Sequence, residues 1–136
     1  MKVNSKSDEM VLRVVLDRWK DAVDTHEPQR VAATFTPDAI FQGLHPYGVG
    51  RETVAEYYDS QPLGLTADYR ILETRRLADD LVLGYLSVDF SFTDRPPLQV
   101  YLSVLVKQST KSDLITHYQV SRLDGIPAGA GPGPVQ

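Results

Sequence analysis

The spacing of apolar positions changes partway along the chain. In the first part Val11, Val14, Val15, Trp19 and Ala22 share one face at 3.6-residue spacing, broken by Arg18. Ser7-Asp8-Glu9 places acids where the positive end of a helix dipole would lie. Together these predict a helix from about Asp8 to Asp24. Thr25-His26-Glu27-Pro28 reads as a stop and restart, because Pro28 suits the first position of a new helix. Gln29 to Phe35 gives a second, short helix that Thr36-Pro37 ends. Ala39-Ile40-Phe41-Gln42-Gly43 reads as a short strand, and Leu44 to Gly50 as a loop turning at His45-Pro46-Tyr47-Gly48. Arg51 to Ser60 is a third helix, and Gln61 to Leu65 a break around Pro62 and Gly64.

From Ala67 the period falls to two. Asp68–Ala78, Leu81–Thr93, Leu98–Ser109 and Asp113–Leu123 are four long β runs joined by hairpin-length connections. The expected fold is therefore α+β, with three N-terminal helices packed on a strongly bent mixed or antiparallel β-sheet. Residues 1–6 form a flexible arm, 7–123 the domain, and 124–136 a Gly/Pro-rich tail with too little apolar surface to offset its ordering entropy.

The strands have two unlike faces. Tyr85, Ser87, Asp89 and Ser91 alternate with Leu86, Val88, Phe90 and Phe92, and Gln99, Tyr101 and Ser103 with Val100, Leu102 and Val104. The apolar set belongs against the helices. The polar set suits a pocket or a dimer interface. In the last run Ile115, His117, Gln119 and Ser121 alternate with Thr116, Tyr118, Val120 and Arg122. Which set faces inward stays open here, since a bulge would swap them.

Composition narrows the class. With 136 residues, 42% hydrophobic and 24% charged, the chain is one domain able to bury a sizeable core. A net charge of −4 with no basic run longer than Arg75-Arg76 argues against a nucleic-acid surface. The lack of cysteine removes disulfides, thiolate metal sites and thiol nucleophiles. No signal-peptide h-region and no membrane-length apolar run is seen, so the expected address is cytoplasmic.

Two residues are candidates for proton chemistry. Asp89 lies between Ser87 and Ser91; buried, it would act as a base, and exposed, it is an ordinary outer-face acid. His117 can donate or accept protons near neutral pH or be a satisfied sheet histidine. Trp19, Phe35, Phe41, Tyr57 and Tyr58 converge if the helices cap the sheet, either as core or as the lining for a planar ligand. Tyr85, Tyr101 and Gln119 on the polar face complete the ligand-binding candidates. Arg51 is expected to pair with a carboxylate such as Asp38. His26, His45 and His117 match no metal spacing, and no motif implies a cofactor.

The order Trp19-Lys20-Asp21, Pro37-Asp38-Ala39-Ile40-Phe41, Gly50-Arg51-Glu52 and Tyr57-Tyr58 resembles the nuclear transport factor 2-like superfamily. Within it the chain is most similar to the SnoaL-like and SgcJ-type branch and to the calcium/calmodulin-dependent kinase II association domain. That branch carries a histidine-rich last strand after a Trp; this chain keeps only His117 and has Ser112-Asp113-Leu114 in the Trp's place. The resemblance implies a cone with an internal pocket, a homodimer, and a hydrophobic, polyketide-type ligand. Three functions stay open: acid–base catalysis without a cofactor, of the cyclase or isomerase type; ligand holding without turnover; and assembly. A carboxylate or histidine inside the pocket would favour the first, a purely aromatic and aliphatic lining the second, and a large sheet-to-sheet interface the third.

Overall fold

The first helix, α1 (Ser5–Asp24), buries Leu12, Val15, Leu16, Trp19, Ala22 and Val23 along one stripe. The stripe is rotated from the expected one: Val14 is exposed, and Arg18 lies outside the buried face, donating to the Asp113 carbonyl at 3.2 Å. The apparent break at Arg18 was therefore a boundary of the stripe. This computed structural model describes residues 5–122. Ser5 and Lys6 belong to α1 and not to an arm; residues 1–4 and the tail from 123 on lie outside the described residues.

The stop after α1 is a backbone motif. His26 adopts a left-handed conformation at φ 53°, while its N–H bonds the Val23 carbonyl and that of Glu27 bonds Ala22. This Schellman pairing satisfies the carbonyls at the end of the helix. Pro28 then opens α2 (Pro28–Ala32), which is shorter than expected.

The chain becomes a strand four residues earlier than expected. β1 (Phe35–Gln42) runs parallel to the last strand, and its register shifts between Phe35 and Ile40. That irregularity accommodates Pro37, which has no N–H for a regular ladder. Within the expected loop, Gly48–Val49 forms β2, antiparallel to β1. Gly50, at φ 96°, makes the turn into α3 (Arg51–Asp59), a backbone angle that favours glycine. Arg51 does not pair with Asp38: its Nε donates to the Phe35 carbonyl at 2.8 Å, and Asp38 accepts from Thr36 Oγ1.

The four long strands follow as β3 (Thr66–Ala78), β4 (Leu81–Ser91), β5 (Leu98–Lys107) and β6 (Leu114–Arg122). The six strands form one curved sheet ordered β2-β1-β6-β5-β4-β3, mixed because β1 and β6 are parallel. The three helices do not all precede it, since β1 and β2 come before α3. Val82, Leu86, Val88 and Phe90 of β4 meet Val100, Leu102, Val104 and Val106 of β5 on the buried inner face.

A bulge settles the last strand. The neighbours Leu105 and Val106 pair with His117 and Ile115, leaving Thr116 as the extra residue. The alternation therefore switches, so that Ile115, Tyr118 and Val120 are buried while Gln119 and Ser121 are exposed.

Candidate functional site

Three elements bring aromatic rings to one end of the inner face. Trp19 comes from the buried stripe of α1, Tyr57 and Tyr58 from the last turn of α3, and Tyr118 from β6. Tyr118 stacks on Phe41 at 4.7 Å between centroids, and Tyr57 stacks on Tyr58 at 5.0 Å. Phe35 packs edge-on to Phe41. Of the expected ligand-binding residues, Trp19, Phe35, Phe41, Tyr57 and Tyr58 thus form one cluster. Tyr118 belongs at its centre and was missed, because only the bulge turns it inward.

A cavity opens beside the cluster between Tyr57, Tyr58, Tyr118, Phe90, Phe92 and Leu98. Its enclosed space is about 20 Å³, enough for one water-sized sphere. Leu44, Tyr57, Gln61, Phe92 and Leu98 also border a wider cleft of about 870 Å³, so the cavity is the floor of a surface opening. Trp19, Phe35 and Phe41 stand behind the wall as packing, and the cavity is faced by the phenols.

The polar groups in the wall form a chain. Trp19 Nε1–H donates to Tyr58 Oη at 3.3 Å, and Tyr58 Oη and Tyr118 Oη share a hydrogen bond of 3.1 Å. One indole N–H and two phenol O–H protons meet only these two hydrogen bonds, so one O–H proton is left over. Both phenols border the cavity, which makes it a site that offers a hydrogen-bond donor. Burial pushes both phenols well above their ordinary range, Tyr58 further raised by the nearby Tyr57 and Tyr118 by Tyr58, so they remain neutral donors. Tyr57, less buried, is also raised by desolvation, partly offset by its bond from the Leu44 N–H.

The proton-chemistry candidates lie elsewhere. Asp89 is exposed on the outer face of the sheet, paired across the strands with Asp68 and Gln99. His117 is half-buried on the same outer face, opposite Leu105 and Ile40. The burial that would have made Asp89 a base is absent, and neither residue borders the cavity. Tyr85 and Tyr101 meet each other at 5.5 Å on the outer face, where Gln119 is also exposed, so these three are not brought to the cavity either. Among the described residues no three His, Asp or Glu gather to hold a metal ion.

No family model and no curated protein matches this chain. Solved structures do. A protein described as a calcium/calmodulin-dependent kinase II association domain, from Xanthomonas campestris, is 18% identical with a TM-score of 0.75, over 85% of this chain and 87% of that one. A ketosteroid isomerase-like protein from Erwinia carotovora atroseptica is 21% identical with a TM-score of 0.72, over 84% and 95%. A protein of unknown function with a cystatin-like fold, from Nostoc punctiforme, is 13% identical with a TM-score of 0.72, over 93% and 98%. At such identities the likeness is one of fold.

Proposed function

Starting from the nuclear transport factor 2-like fold of this chain, we propose that it holds a flat, largely apolar small molecule without turning it over. The observation that carries this reading is the lining of the inner cavity: phenols, phenylalanines, aliphatic side chains and the amide of Gln61, with no carboxylate or imidazole among the described residues there, His45 bordering only the outer cleft. Proton abstraction needs a base within hydrogen-bond reach of the substrate. The spare phenol O–H supplies orientation instead, by donating to a carbonyl or hydroxyl oxygen of the ligand. A polyketide-type aromatic, as the sequence resemblance implies, has both features. The cytoplasmic address expected from the sequence belongs to the same proposal.

The test is calorimetric titration with planar aromatic ketones and phenols. Tyr118→Phe should weaken them several-fold, while Asp89→Asn and His117→Ala leave them unchanged. Ligand turnover, abolished by either of those last two substitutions, would refute the reading.

Homodimerisation through the outer sheet face is part of the proposal. Leu83, Tyr85, Tyr101 and Leu105 sit there half-buried around Ser87, which accepts from Gln99 Nε2 at 3.2 Å. A face this rich in partly covered apolar groups suits a second copy. Sedimentation of the wild type and of Tyr101→Glu tests it: a dimer that the substitution dissociates supports the face, and a monomeric wild type removes it.

A further inference from the structure

We propose that the ligand is an aromatic acid, whose carboxylate is read at the mouth of the cleft by Arg95 and Arg122 while its apolar body lies in the cleft and its far end reaches the cavity floor. The proposal rests on the binding reading above and adds the charge of the ligand.

The charge at the mouth runs against that of the chain. The protein carries 18 acidic and 14 basic side chains, with a net charge of −4. Among the described residues the wide cleft is nevertheless bordered by the basic side chains Arg95, Arg122 and His45 and by no carboxylate, Asp94 being paired to Arg95. Cationic groups around an apolar floor attract an anion with an apolar body.

The two arginines are placed by the walls of the cavity itself. Tyr118 and Val120 border the cavity, and Arg122 follows at the same two-residue spacing on β6, where the strand reaches the cleft. Four residues of strand separate Tyr118 from Arg122 by about 13 Å. One strand therefore offers a phenol at the floor, an aliphatic contact between, and a guanidinium at the mouth. Arg95 lies with its Cζ 4.8 Å over the ring of Phe92, whose side chain borders both the cavity and the cleft. That contact holds the guanidinium where the apolar lining ends.

Arg95 can take a second carboxylate. Asp94 accepts from Nε at 3.0 Å and from Nη2 at 3.3 Å. A guanidinium has five N–H donors, so this pair leaves three, including both on Nη1. Both partners are more than half exposed, and such a pair is weak enough to share its cation with a ligand. The ligand class that fits is a rigid molecule of two or three fused rings, with an oxygen at the buried end and a carboxylate at the other.

The test uses 6-hydroxy-2-naphthoate and its methyl ester, titrated calorimetrically into the full chain and into Arg95→Gln, Arg122→Gln and the double variant. The acid should bind about tenfold more tightly than the ester. That preference should shrink in each single variant and vanish in the double one, with ester affinity unchanged. Equal affinity for acid and ester, or a preference that survives in the double variant, overturns the proposal and leaves the binding reading standing. Failure of both compounds to bind overturns both readings. Decanoate, run as a third ligand, distinguishes body types: a flexible acid that binds more tightly than the naphthoate overturns the flat-ring assignment. Thermal melting of each variant reports folding, and both arginines are surface side chains whose replacement leaves the core intact.

Discussion

A Cβ placed on Gly43 would stand 2.4 Å from Cε2 of Tyr57 and 2.7 Å from its hydroxyl. The ring of Tyr57 fills the space that a side chain at position 43 would need. Gly43 thereby lets the loop after β1 close on the ring that borders both cavity and cleft, and the neighbouring Leu44 N–H donates to the same phenol at 3.3 Å.

Gly43→Ala should displace that ring. The expected cost is about 1–3 kcal/mol, the usual range for forcing an atom into a packed site. Most of it should disappear in a Tyr57→Ala background, because the clash is with that one side chain. Urea denaturation of the four members of this cycle gives the coupling directly; additive costs would show that the ring is not what the glycine accommodates.

The two phenols of the wall should differ in their worth to stability. Tyr58→Phe removes the acceptor of the buried Trp19 N–H and the partner of Tyr118, at a cost of about 1–3 kcal/mol. Tyr118→Phe removes one shared bond and leaves the indole satisfied, at about 0.5–1.5 kcal/mol. Equilibrium unfolding that ranks them the other way would contradict the place of the Tyr58 hydroxyl between Trp19 and Tyr118.

Alkaline pH gives a linked prediction. The raised phenols of Tyr57, Tyr58 and Tyr118 keep their protons in the folded protein, whereas unfolded tyrosines lose theirs near pH 10. Above that pH the unfolded chain binds fewer protons than the folded one, so stability falls as pH rises. The stability these phenols contribute is fully present below about pH 10. Tyr118→Phe should reduce the slope of stability against pH in the alkaline limb, and tyrosinate absorbance should rise with unfolding for the buried rings of Tyr58 and Tyr118.

At the opposite end of the sheet, Arg76 ties α1 to the hairpin of β3 and β4. Its Nη2 and Nε donate to Asp8 Oδ1 at 2.8 and 3.1 Å, and its Nη1 donates to the Asp79 carbonyl and to Gln108 Oε1. Asp8 is only 3% exposed. Arg76→Met should therefore cost up to about 3–5 kcal/mol, because it leaves a buried carboxylate without its cation. Adding Asp8→Asn should recover part of that loss in the same denaturation assay.

Local chemistry made the helices and strands legible. The stop at His26-Glu27-Pro28, the turn at Gly50 and the two-residue alternation from Ala67 onward are all effects of neighbouring residues, and each stands where the sequence put it to within a few positions. Where the reading slipped, at the start of β1 and in the two residues of β2, the structure comes from pairing with strands distant in the chain.

The amino-acid sequence by itself determined the α+β class, the long apolar stripe of the first helix and the aromatic stock from which the cluster is built. Only the tertiary structure decided which rings meet a cavity and which face water. The reason is the bulge at Thr116: with a side-chain period of two, one extra residue moves every later side chain to the other face. That single insertion turns Tyr118 toward Tyr58 and leaves Gln119 exposed on the far side. The outward placement of Asp89, by contrast, follows from the plain alternation of β4, which gives Leu86, Val88 and Phe90 to the core.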